Sequence, residues 1–192
     1  MMKMGYEEYT IDGLIPMFLM ICVYVITRVV LILKNKKIDW HREVSRLFLV
    51  LYLGVLIVVT LFPINIIIGE YEQRYREIVV NLNPMQFFGL LDADFSIIIR
   101  NLGGNLVMMI PFAILLPVNF RGMRQFGRVI MVVVATSIVI EILQYIWQLT
   151  MLNVWRTTDI NDVILNVCGG IIGYALYYYL FLRVPFMKRF II

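Results

Sequence analysis

Four apolar runs of about 20 residues, and a fifth interrupted by proline, leave this chain few ways to fold. A run of that length is enough to cross a bilayer as a helix. In lipid every backbone N–H and C=O has to find its partner within the protein, so an isolated spanning run has only the helix open to it. The runs fall at residues 11–33, 45–64, 101–118, 129–152 and 163–182. The third is the weakest span, because Pro111 lies inside it and Pro117 near its end; it is expected to be short and broken. Hydrophobic residues make up 61% of the 192, above the soluble norm of about half. The expected fold is all-α: a polytopic transmembrane helix bundle of about five spans. Residues 1–80 form a two-span region with an outer loop, 81–182 a membrane domain, and 183–192 a tail.

The charges between the runs set the orientation. Residues 34–43 carry Lys34, Lys36, Lys37, His41 and Arg42; residues 119–128 carry Arg121, Arg124 and Arg128; the tail carries Arg183, Lys188 and Arg189. These segments all fall on one side of a five-span chain, the cytoplasmic side by the positive-inside rule. The N-terminus is then outside and the C-terminus inside. Arg28, near the end of the first run, is expected to snorkel to the interface. Outside, Glu70 to Glu77 alternates in sign as a solvated face does, and residues 85–91 are apolar but too short to span. The net charge of +4 is accounted for by these orienting loops, so nucleic acid is not an expected partner. Cys22 and Cys168 lie in apolar runs with no metal-binding spacing, and are expected to be small buried residues. The lone His41 leaves little material for a zinc site or a catalytic triad.

Two polar stripes interrupt this apolar background. Glu141 lies midway along the fourth run, with Ser137, Gln144, Tyr145 and Gln148 on the same helical face. A charge at that depth costs a few kcal/mol, which calls for a partner or a proton. The second stripe is Arg156, Asp159, Asp162 and Asn166, spaced at three and four residues as on one helix face. Thr157 or Thr158 is the expected N-cap, and acids suit the first turn, which explains the aspartates but not Arg156 beside them. Asn101 and Asn105 bring two amides to similar depth on the third run. These residues are expected to form one site. Glu141, Asp159 and Asp162 are the candidate acid–base or substrate-orienting groups. Arg156, whose planar fork suits phosphate or carboxylate, joins Asn101, Asn105, Gln144 and Asn166 as candidate binding groups. Carboxylates within reach of Glu141 suit a hard cation such as Mg²⁺ or Ca²⁺, although nothing in the spacing establishes a metal or any cofactor. Gly169, Gly170 and Gly173 read as packing glycines, and Tyr177, Tyr178 and Tyr179 as interface anchors.

Four segments in order then resemble a known family: Asn81-Leu82-Asn83-Pro84; Asn101 to Asn105 followed by Pro111-Phe112; Glu141-Ile142-Leu143-Gln144; and Arg156 to Asn166 with glycines after it. Together they resemble the VanZ-like family of bacterial membrane proteins, with Met85 standing where the family usually has Phe. The resemblance implies a multi-pass protein of the bacterial plasma membrane, from a family whose name member is linked to low-level resistance to teicoplanin, a lipoglycopeptide acting at the cell surface. Taken with the polar pocket expected on the outer face, the expected role is in the cell envelope, with a surface lipid or lipid-linked cell-wall intermediate as partner. Catalysis, binding without turnover and small-scale transport all remain open.

Overall fold

The computed structural model describes residues 6–35, 39–69, 78–85, 103–150 and 157–191. Among the described residues five α-helices carry the fold: α1 (Leu14–Asn35), α2 (Trp40–Leu61), α3 (Gly104–Asn119), α4 (Phe126–Leu149) and α5 (Ile160–Arg183). Each lies within a few residues of the corresponding apolar run. Their ends follow local chemistry. Asp39 caps α2, accepting from the Arg42 N–H, with Glu43 in the first turn, and Pro63 follows its last residues. Asp159 caps α5, Asp162 sits in its first turn and Arg183 in its last.

Four helices, α1, α2, α4 and α5, are long and apolar enough to cross a membrane. The fifth, α3, has 16 residues and so a length of about 24 Å, short of a hydrocarbon core of about 30 Å. The expected break in it does not occur: the helix runs continuously through Pro111 and Pro117. Proline frees carbonyls one turn back, and here the Tyr52 hydroxyl donates to the Met108 carbonyl in the turn before Pro111.

Neighbouring helices alternate in direction, with α3 and α5 parallel and most extensively packed. Leu56, Met109, Phe112, Ala113, Leu116, Val129, Val133 and Ile140 form a buried core where α2, α3 and α4 meet. Glycines set the α3–α5 distance. A Cβ on Gly169 would fall closer than 3.0 Å to the Leu106 carbonyl oxygen, and one on Gly173 would lie 2.9 Å from the Ala113 Cβ. Helix α1 is peripheral, its large apolar side chains mostly exposed, as befits a lipid-facing span.

Among the described residues, the strands lie at the helix ends. β1 (Tyr6–Ile11) pairs antiparallel with β2 (Ile64–Gly69), from Tyr6 opposite Gly69 to Ile11 opposite Ile64. β3 (Val80–Asn81) pairs in parallel with β4 (Thr158–Asp159). The other end of the bundle is basic, carrying the last turn of α1, the first turn of α2, a 3₁₀ turn at Arg121–Met123 and the C-terminal 3₁₀ turn at Met187–Phe190.

Arg28 also finds a partner on the next helix: its Nε donates to Glu43 Oε2 at 2.6 Å and its NH2 to Oε1, with Arg46 on the same carboxylate. The forked guanidinium suits a carboxylate taken through both oxygens. Glu43→Ala, which strips both arginines of this partner, is expected to cost about 2 kcal/mol, read as a lowered thermal midpoint in detergent. An unchanged midpoint would show that the pair does not hold α1 to α2. Tyr177 is fully buried rather than an interface anchor, while Tyr178 and Tyr179 are exposed with the Arg183 guanidinium over their rings. Consecutive helical residues point about 100° apart, so three tyrosines in a row cannot share one environment. Cys168 is exposed on the bundle's outside rather than buried. The stretch 70–77 and most of the apolar segment 85–91 lie outside the described residues.

Candidate functional site

The 3.6-residue period of α4 places Ser137, Glu141, Gln144 and Gln148 on its inward face. Glu141, Gln144 and Ser137 are buried, Glu141 at 7% exposure. Each finds a partner on a different element. Gln144 Nε2 donates to the Thr60 carbonyl at 3.0 Å, joining α4 to the end of α2. Gln148 bridges β3 and β4 with both ends of its amide: Oε1 accepts from the Val79 N–H at 3.2 Å, and Nε2 donates to Thr158 Oγ1 at 3.0 Å.

Asp159 is the hub. The β3–β4 bridge sets Asn81 beside it, and the start of α5 sets Asn161 after it. Its Oδ1 accepts from Asn81 Nδ2 at 2.9 Å, from the Asn161 N–H at 2.8 Å and from Asn161 Nδ2 at 2.9 Å. Its own backbone N–H donates to Glu141 Oε2 at 2.9 Å. The two carboxylates are therefore joined through a backbone amide. A charged oxygen that takes three donors is strongly held in place. One turn deeper, Asn166 Nδ2 donates to Ser137 Oγ at 2.7 Å, and Asn166 is 1% exposed.

Beside this network a cleft of about 290 Å³ runs along the bundle's flank. Its lining takes in Glu141, Thr158 and Asp159 together with Val80, Leu82, Ile138, Ile142, Tyr145, Ile160 and Val163, and its surface is almost wholly apolar. The wall residues Ile138 and Ile142 are themselves exposed on the outside of α4, so the cleft opens sideways, toward where lipid lies.

The structure thus brings Glu141 and Asp159 together and places Gln144 and Asn166 on the same buried surface. Asp162, half-buried in the first turn of α5, and Asn105, half-buried in the first turn of α3, do not line the cleft. Arg156 and Asn101 lie outside the described residues. Neither Thr157 nor Thr158 caps α5: the cap is Asp159, and Thr158 is held in β4 by Val80 and Gln148. A carboxylate is the stronger acceptor for the first-turn N–H groups, and the bridge fixes Thr158 in extended backbone. Among the described residues, no three His, Cys, Asp or Glu side chains assemble as a metal-ligand set. Sequence reasoning did not select Asn81, Thr158 or Asn161 as site residues. The signal for Asn81 was its place in a family motif.

These observations define a multi-pass membrane protein with a hydrogen-bonded polar network set into one end of its helix bundle. Residues 48–183 match the VanZ/LLP1 family, and the chain belongs to that family. It is 35% identical over 136 residues to Protein VanZ of Enterococcus faecium, an overlap covering 69% of this chain and 73% of that protein. The match begins inside α2, upstream of Asn81, where the resemblance in motifs starts. No solved structure shows a significant match. The family and the four long apolar helices make this a multi-pass protein of the bacterial membrane.

Proposed function

We propose that the chain modulates the cell envelope by binding and shielding a surface lipid or lipid-linked cell-wall intermediate, and so alters susceptibility to teicoplanin-type glycopeptides. The observation that carries this reading is the lateral apolar cleft with Glu141 and Asp159 among its lining residues. An apolar trough with a few convergent polar groups is the common form of a small-molecule site, and one open to the bilayer flank is accessible to lipid. The geometry favours binding over turnover: Asp159 Oδ1 is committed to three donors that build the site itself. Arg156, three residues before Asp159, is proposed to take the phosphate or carboxylate of the same ligand. The basic opposite end of the bundle favours an outer-leaflet cleft.

Glu141→Gln, at matched membrane abundance, is expected to remove the protection against teicoplanin that expression of the wild-type chain confers. Protection at wild-type level in that variant overturns the role of the site. Orientation is checked with a membrane-impermeant maleimide in a background lacking Cys22 and Cys168. Leu82→Cys, exposed beside the cleft, is expected to label in intact cells, and Gln125→Cys only after lysis. The reverse pattern would move the cleft to the inner leaflet and overturn the envelope reading.

A further inference from the structure

Away from the cleft, the α1–α2 pair holds more positive charge near its basic end than it neutralises. Arg28 of α1 and Arg46 of α2 both donate to the carboxylate of Glu43, so two guanidiniums share one anion. Among the described residues neither arginine has a second acidic partner, and Asp39 is taken up by Arg42 and the α2 cap. Arg28 uses its Nε and NH2, and Arg46 its NH1. The other guanidinium nitrogens of both meet no acceptor among the described residues. This excess charge does not sit in a loop. Arg28 lies seven residues before the end of α1 and Arg46 six after the start of α2, about 10 Å along each helix. The surface around them is apolar: Val25, Val29 and Leu33 on α1, and Val44, Leu47 and Phe48 on α2, are all exposed. Unlike the loop charges that orient the chain, this one stands where lipid lies, and a charge there is costly without a counter-charge.

We infer that this edge of the α1–α2 pair binds an anionic phospholipid, its phosphodiester on the free N–H groups of Arg28 and Arg46 and its chains on the apolar surface around them. A guanidinium on its long stem can lift its head to the level where lipid phosphates lie. Its planar fork presents paired N–H groups to two phosphate oxygens at once. Glu43 holds the two guanidiniums together, so the site is assembled before the lipid arrives. One phosphodiester balances the one excess charge, whereas a zwitterionic lipid brings a cation of its own back to the arginines. Free phosphate offers the same oxygens but gains nothing from the exposed valines, leucines and Phe48.

The test is native mass spectrometry of the full chain in a neutral detergent, titrated with phosphatidylglycerol and with phosphatidylcholine of identical chains. Phosphatidylglycerol is expected to reach half-occupancy at about tenfold lower concentration. In Arg46→Gln, which keeps the Arg28–Glu43 pair, that preference is expected to disappear. Arg189→Gln removes the same charge from the exposed C-terminal turn and is expected to keep the preference. Equal half-occupancy of the two lipids on the wild-type chain overturns the inference, whatever the variants do. So does a preference that survives Arg46→Gln. A preference lost equally in Arg189→Gln traces to net charge and overturns the site at Arg28 and Arg46. Displacement of phosphatidylglycerol by excess inorganic phosphate makes it a free-phosphate site and overturns the lipid.

Discussion

Gly169→Ala is expected to cost about 3 kcal/mol or more, the upper part of the range for overpacking a tight core. The added methyl would lie closer than 3.0 Å to the Leu106 carbonyl oxygen and 3.0 Å from its carbon. Those are backbone atoms of α3 and cannot rotate away, so α5 has to back off. Gly173 meets the carbonyl of Ile110 one turn on, in the same way. Both contacts belong to the parallel α3–α5 pair, where small residues let helix backbones approach in lipid. The double variant is expected to cost less than the sum of the singles, because the first separation already relieves the second clash. Gly104→Ala is the control: a Cβ there meets nothing within 4 Å, and its effect is expected to stay within about 0.5 kcal/mol. Thermal midpoints in detergent read all of these. A wild-type midpoint for Gly169→Ala would show that α3 and α5 do not meet at this depth. Because α5 also carries Asn161 and Asn166, the same displacement is expected to lower teicoplanin protection.

The spans and the packing glycines were legible because membrane physics leaves little choice: a long apolar run has one stable form, and glycines on a helix face invite a close neighbour. The polar face of α4 was legible for the same periodic reason, and its members Glu141, Gln144 and Ser137 are all buried. What stayed hidden was non-local. The β3–β4 bridge joins residues 78 positions apart through two residues on each side, and nothing in either segment names the other. That bridge delivers Asn81 to Asp159. Without it, Asp159 looks like an ordinary first-turn acid, with a threonine before it as the natural cap. The pairing of Arg28 with Glu43 was hidden likewise, since a lone arginine near a helix end has a sufficient local explanation. Pro111 misled in the opposite sense: the sequence carries the penalty, while the helix runs on through it, with Tyr52 of another helix donating to the nearby Met108 carbonyl.

Asp159 also separates architecture from recognition. Asp159→Ala removes the helix cap and the acceptor for Asn81 and both Asn161 donors, leaving polar groups in a half-buried place with no partner. Losing a cap costs about 0.5–2 kcal/mol, and orphaned buried donors add about 1–3 kcal/mol, so a loss of about 3 kcal/mol is expected. The Asp159 backbone amide, which reaches Glu141, would lose its fixed position with it. Asp159→Asn retains a carbonyl oxygen with the same reach and keeps asparagine at a position where it caps well, so its midpoint is expected to fall by less than about 1 kcal/mol. It nevertheless removes the charge. If the site only braces the bundle, protection against teicoplanin should follow stability: lost in Asp159→Ala and kept in Asp159→Asn. If the carboxylate recognises a ligand, both variants lose protection, and only one loses its fold. The comparison is read from midpoints and susceptibility at matched membrane abundance. Full protection by a well-folded Asp159→Asn would leave Asp159 as architecture alone and shift the search for the recognising charge to Glu141 and Arg156.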